Sequence, residues 1–401
     1  MLCGEDDLSV MMTNRCLPLL PFVLCVAMLA AGLLAAQGSP TAATKITRVE
    51  TITLRHPWGP QEEGKTRDFR LVLVHADNGL YGISRGGNAK LIEEELAPLL
   101  VGQDTRRITK LWHAMYEKAW RHRGPGRSAM SSIGALDIAL WDLYGKSIGE
   151  PVWRLLGGYR DRVPVYADGI GYYEQTPAEM ADLVKKHADL GYSAVKFHTT
   201  SPDPTDALEK VRLSRERIGP DVRLMIDALR MWDGPQAASL AKQFAPYNLY
   251  LIEEPVGKDD LLAYLRMVGE KTDALLAGGE GQGTLYGVRE LITRGGLDVI
   301  QSDILIGGGY TGLLRIAALA DAYHVKVAPH GAQYPDLNCH LVAAIPNGLM
   351  IPACPRTEPY QIWSKLYRPE LRVVEGYIQM TEKPGLGLEF DPDFVDRYRV
   401  R

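Results

Sequence analysis

The chain changes its hydrophobic rhythm twice. From Lys45 to about Gly158, apolar and polar residues first alternate, in ITRVETITL and FRLVLVHADNGLYGIS. They then recur at helical spacing in IEEELAPLL, ITKLWHAMYEKAW and MSSIGALDIALWDLYGKSIG. Alternation on both sides of a DNG turn predicts an antiparallel meander, and the longer period predicts the helices that follow it. From Val163 onward, short and almost uniformly apolar runs sit between helical stretches: VPVYADG, SAVKFHT, RLMIDAL, LYLIEEP, ALLAGGE, DVIQSDI, VKVAPHG and GLMIPAC. Eight buried strands separated by helices predict a (β/α) TIM-type barrel, so the expected fold is α/β with a smaller α+β capping domain. After about Leu371 the pattern returns to strand and turn, as in KPGLGLEFD, which suits a segment folding back on the cap. The predicted organisation is a leader at 1–38, a cap at 45–158, a barrel at 159–370 and a C-terminal segment at 371–401.

The ends of the barrel strands carry the candidate chemistry. Asp227, Glu253, Glu280 and Asp303 close four successive strands and His330 closes the next, at intervals of 26, 27, 23 and 27 residues by subtraction of those numbers. One strand-plus-helix unit takes about that much chain, so all five fall at the same end of the barrel, where such enzymes keep their active sites. A single acid after a strand is commonly a helix N-cap. Several in register are not explained that way. Asp227, Glu253 and Glu280 converging on one mouth would repel one another unless a hard divalent cation lay between them, and oxygen donors suit magnesium, with manganese as the alternative. A lone histidine is commonly a core or loop residue, but His330 stands one unit after Asp303, where a carboxylate can fix its tautomer and raise its basicity.

Composition narrows the frame without changing it. The 401 residues are 46% hydrophobic and 23% charged with a formal net charge of −4, ordinary globular material with no electrostatic footprint for nucleic acid. The basic run WRHRGPGR, residues 120–127, reads as a solvated face or an attraction for an anionic substrate. Ahead of the globular part, Arg15 precedes the apolar run LPLLPFVLCVAMLAAGLLAA, residues 17–36, and a small-residue exit at Gly38. This predicts export by a signal peptide cleaved before Ser39, with retention as a membrane anchor the alternative. Three of the five cysteines lie in that leader, and Cys339 and Cys354 have no metal-ligand spacing; the sequence leaves open whether they pair.

The helix SSIGALDIALWDLYGKSIGEPVWRLLGG, the IEEP that ends the fourth strand and the stretch SDILIGGGYTGLLRIAALADAY together resemble the enolase superfamily, in its mandelate racemase-like branch. The likeness runs through the whole chain after the leader, in order. It implies a cap built from both chain ends, and one magnesium ion per subunit that stabilises an enediolate formed by removing the proton α to a carboxylate. It also implies a small carboxylate substrate and a homo-oligomer. Asp227, Glu253 and Glu280 match the family's metal ligands, with Glu254 beside them, and Asp303 and His330 match its catalytic pair. On the second strand the family has Lys-x-Lys, whereas this chain has Lys196-Phe197-His198. Lys196 is then expected to neutralise the substrate carboxylate and His198 to exchange a proton. Where the family often has a Glu after the eighth strand, the nearest residues here are Cys354 and Glu358.

Two enzyme readings and one silent reading share this site. A sugar-acid dehydratase leads, with His56, Arg121, His122 and Arg127 as polar groups the cap offers. A racemase, epimerase or cycloisomerase of a carboxylate is the second. A binding homologue without activity is the third, favoured by the altered Lys-x-His and the absent Glu.

Overall fold

The computed structural model describes residues 44–57, 65–124, 126–170, 175–199, 201, 203–257, 272–354 and 365–400. The predicted leader lies outside them, as do Glu358 and the side chain of His122.

The cap begins with three antiparallel strands, β1 (Ile46–Pro57), β2 (Thr66–Ala76) and β3 (Tyr81–Arg85), and Gly79 supplies the left-handed residue of the DNG turn between the last two (φ +83°). The helices Ile108–Arg123 and Arg127–Ile148 follow. The second is apolar almost all round because it is covered on two sides, by β3 and by the helix Gly309–Asp321 of the next domain. Close approach requires a small residue there: a side chain at Gly134 would start 2.3 Å from the carbonyl oxygen of Leu305.

Eight parallel strands follow: β4 (Arg162–Ile170), β5 (Ala194–His198), β6 (Arg223–Asp227), β7 (Leu249–Glu253), β8 (Leu275–Gly278), β9 (Val299–Ile300), β10 (Lys326–Val327) and β11 (Ile351–Ala353). Neighbours pair in sequence order, β11 pairs with β4, and a parallel bridge from Val327 to Gly348 joins β10 to the segment leading into β11. The ring is closed, and the fold is a (β/α) barrel with an α+β cap. Several strands carry their own helix start. Thr176 and Asp233 each accept a hydrogen bond from the third helical N–H while a Glu or Gln at that position reaches back.

The C-terminal segment touches both parts. Tyr377–Gln379 adds antiparallel to β4, and the helix Pro392–Tyr398 packs on β1, where Val400 N donates to Thr53 O at 2.8 Å. The acids of the DIALWDLYGK helix are fasteners. Asp142 accepts from Ile83 N at 2.8 Å and from Leu386 N at 2.7 Å, binding cap sheet and tail together, with Lys146 at 2.9 Å. Asp137 accepts from Thr311 N at 2.9 Å and so caps the helix Gly309–Asp321, whose own N-cap is a glycine.

Burial pushes the Asp137 carboxyl up to about 7, against the hydrogen bonds from Thr311 and Tyr310 that favour its charge. The sign follows from linkage: a carboxyl raised in the folded state resists ionisation there, so stability falls as pH climbs from the unfolded value near 4 through about 7. Asp137→Asn keeps the acceptor and removes the charge. In urea unfolding at pH 5 and pH 8 the wild type should lose on the order of a few kcal/mol more than the variant between the two conditions. Equal losses would mean Asp137 is charged at little cost.

Candidate active site

One residue from each barrel strand or its flank forms an apolar floor: Tyr166, Ala194, Met225, Leu251, Ala277, Val299, Ala328 and Met350. Strand side chains alternate, so the residues two further on must form the next layer toward the C-terminal mouth. Those residues are Asp168, Lys196, Asp227, Glu253, Gly279, Gln301, His330 and Pro352. His198, Asp303 and Cys354 stand one step higher. The floor therefore turns from hydrocarbon to charge within a single layer.

Glu280 is out of step with this alternation. Gly279, with φ at +98° and Leu291 lying 2.9 Å from where its side chain would start, turns the backbone after β8 and brings Glu280 to the mouth. Asp227 and Glu253 pair in register across β6 and β7, and His198 pairs with Asp227 across β5 and β6.

The predicted residues meet as ion pairs. Lys196 Nζ is bonded to Glu253 Oε2 and lies 3.5 Å from Asp168 Oδ2. His330 Nδ1 donates to Asp303 Oδ2 at 3.0 Å, and its Nε2 lies 3.0 Å from Glu280 Oε2. Asp303 is itself held by the N–H groups of Leu305 and Ile306 at 2.9 and 3.0 Å. His198 Nδ1 donates to Ile170 O at 2.9 Å, which leaves Nε2, 3.4 Å from Asp227 Oδ2, as the nitrogen that takes up a proton. From behind, Arg85 at the end of β3 is buried between both oxygens of Asp336, each at 2.7 Å, and also donates to Gln333 O and Tyr367 Oη. Asn338 Nδ2 donates to His330 O at 3.2 Å, so the turn carrying His330 is pinned on both flanks.

The two histidines sit in opposite electrostatic states. Burial works against charge on His330, but the hydrogen bond and charge of Asp303, with Glu280 and Glu253 beyond, lift it to about 9. Burial dominates at His198 and, with Lys196 beside it, holds the imidazole below its ordinary value despite Asp168. At neutral pH one is an imidazolium and the other a neutral base. Asp168 is kept below the usual carboxylate range: burial raises it, and Lys196 and His198 outweigh that. Burial and the Glu253 charge push Asp227 well above that range.

Comparison with known proteins places this geometry. Residues 47–157 match the mandelate racemase/muconate lactonizing enzyme N-terminal domain, and residues 179–394 match the enolase C-terminal domain-like family. A 3,6-anhydro-alpha-L-galactonate cycloisomerase of Streptomyces coelicolor is 33% identical over 88% of this chain and 99% of its own length. The chain belongs to the enolase superfamily, in its mandelate racemase-like branch. A D-xylonate dehydratase of Haloferax volcanii is 29% identical over 88% of this chain and 93% of its own. The crystal structure of a mandelate racemase/muconate lactonizing enzyme from a marine actinobacterium, in complex with magnesium, superposes with a TM-score of 0.81 at 30% identity, covering 89% of this chain and 100% of that one.

The mouth of this enolase-superfamily protein carries more carboxylates than permanent cations. Among the described residues, Asp168, Asp227, Glu253, Glu254, Glu280 and Asp303 have Lys196 and Arg230 as their permanent cations. Among the described residues no three acid, histidine or cysteine side chains form a closed cage. Protein cations hold the carboxylates apart instead, Lys196 on Glu253 and Arg230 on Glu280. The donor set Asp227, Glu253 and Glu280 is all oxygen, and burial with the Glu253 charge beside it pushes the Asp227 carboxyl up, so the residues present fit magnesium.

Two mouth residues escaped the sequence reading. Asp168 ends the first strand in VPVYADG, and the strand-end rule applied to that strand would have found it. Arg230 follows Asp227 by three residues and carries no periodic signal. Among the proposed cap groups, His56 stacks on Phe394 and lies tilted against Tyr398, and Arg121 pairs with Glu117 at 3.5 Å. Cys339 and Cys354 are both free thiols.

Proposed function

We propose that the protein removes the proton α to the carboxylate of a sugar acid and expels the β-oxygen as water, giving a 2-keto-3-deoxy acid. The observation that carries this reading is the placing of a carboxylate-bound His330 and a backbone-oriented His198 at one barrel mouth, on β5 and after β10, three strands apart around the closed ring. Asp227, Glu253 and Glu280 would hold magnesium, which supplies positive charge to the substrate carboxylate as its α-proton leaves. Lys196, anchored between Asp168 and Glu253, adds a fixed charge beside that carboxylate. His198, neutral, accepts the α-proton at Nε2. His330, protonated, delivers a proton from Nε2 to the departing oxygen, and Asp303 stabilises the imidazolium beforehand.

Similarity to a cycloisomerase over nearly its full length favours a second reading. In a 3,6-anhydro sugar acid the β-oxygen belongs to a ring ether, so the same proton removal and C–O cleavage opens the ring and loses no water. The two readings differ in leaving group, not in residue roles.

The test is a panel of aldonic and 3,6-anhydro sugar acids with magnesium, read by 2-keto-acid formation and product mass. Loss of water supports the dehydratase, and a keto acid isomeric with its substrate supports the cycloisomerase. Exchange of α-deuterium with no keto acid would replace both with racemisation or epimerisation. No reaction and no exchange on any member would leave a binding protein.

A further inference from the structure

Arg230 has no role in the chemistry above, yet it occupies the metal side of the mouth. Its guanidinium bridges two carboxylates, pairing with Glu254 and lying 2.5 Å from Glu280 Oε1. The backbone is bent to put it there. Leu229 and Arg230 both adopt left-handed conformations, φ +49° and +63°, as does Glu254 at +37°. Such conformations persist in residues with a Cβ only where surrounding contacts hold them. Here Leu229 N donates to Asp227 Oδ1 at 2.8 Å and Arg230 N donates to Glu254 O at 2.8 Å.

The bridge is also incomplete. Arg230 Nε and Glu254 Oε1 are both buried and both lack a hydrogen-bond partner. They belong to the two groups that already touch. A guanidinium and a carboxylate pair best as a fork, with two parallel N–H donors on two oxygens. Here one nitrogen, Nη2, serves both carboxylates while Nε serves neither, so the fork on Glu254 is left unmade.

We propose that Arg230 is a built-in counter-cation with two seats: it bridges Glu254 and Glu280 while no divalent ion is bound, and closes as a fork on Glu254 when the ion takes Glu280. Resting on the assignment of Glu280 as a metal ligand, the device keeps the empty cluster of acids from repelling itself. Its consequence is competition, since Arg230 and the ion claim the same carboxylate.

Isothermal titration with magnesium chloride alone, together with thermal unfolding of the metal-free and magnesium-saturated protein, tests this without turnover. Arg230→Met removes the competitor, so magnesium should bind roughly tenfold more tightly. By linkage, the metal-free variant should lose more melting temperature than the saturated one. Arg230→Lys keeps a point charge for Glu280 but cannot fork, and should bind magnesium no more tightly than wild type. This second variant also serves if Arg230→Met does not fold. Unchanged or weaker binding in Arg230→Met, or tighter binding in Arg230→Lys, overturns the proposal while the metal site stands. Failure of the wild type to bind magnesium at all would instead remove the metal site, and the counter-cation with it.

Discussion

Glu253→Gln should silence the enzyme, lowering turnover on the order of a thousandfold or more. Magnesium affinity should fall at least about a hundredfold. Glu253 stands against both a proposed metal neighbour and the buried Lys196, with Asp227 beside it in register and Lys196 Nζ bonded to Oε2. Neutralising it removes a ligand charge and leaves a buried ammonium with Asp168 at 3.5 Å as its remaining close carboxylate. The metal-free variant should therefore melt below wild type. Asp227→Asn should be equally inactive but shift the other way. Its carboxyl is pushed up by burial and by Glu253, so removing the charge relieves repulsion, and the metal-free protein should melt higher at neutral pH. Calorimetry and magnesium titration of the two variants check this. Two dead enzymes with opposite stability changes are what the paired geometry requires; wild-type magnesium affinity in either would remove that residue from the ligand set.

The strand ends were legible because barrel geometry imposes a repeat on the chain, and a repeat is visible in one dimension. Asp227, Glu253, Asp303 and His330 all obey the inward alternation counted from the floor residues Met225, Leu251, Val299 and Ala328. Glu280 fits the spacing but not the alternation, and only the left-handed Gly279 explains how it arrives. The pairings were less legible. That Lys196 lies against Asp168 as well as Glu253 depends on which strands neighbour β5 in the ring, and that Arg230 reaches Glu280 across 50 positions depends on three unusual backbone angles. The acids of the DIALWDLYGK helix marked the family without showing their work. Asp137 and Asp142 prove to hold a helix end and the C-terminal tail, contacts with partners 174 and 244 residues away that no local pattern encodes.

The two histidines separate the mechanisms. In the proposed elimination His198 takes the α-proton and His330 assists the leaving oxygen, so His198→Asn should abolish α-deuterium exchange, whereas His330→Asn should lose keto-acid formation and still exchange. The effect on turnover should reach about 10²–10⁴-fold for each, the range of a removed general acid or base. The division rests on environment. The His198 ring is oriented by Ile170 O with its other nitrogen toward Asp227, while Asp303, fixed by two backbone N–H groups, holds His330 ready to donate. A ring-ether substrate gives the same pattern, since only the leaving oxygen differs. A two-base racemase does not: each variant would then exchange the α-proton of one enantiomer and not the other. Full activity in His198→Asn would leave His330 to carry both proton transfers, on one face of the substrate, and the neutral histidine on β5 would be a positioning residue for Asp227 in place of a base.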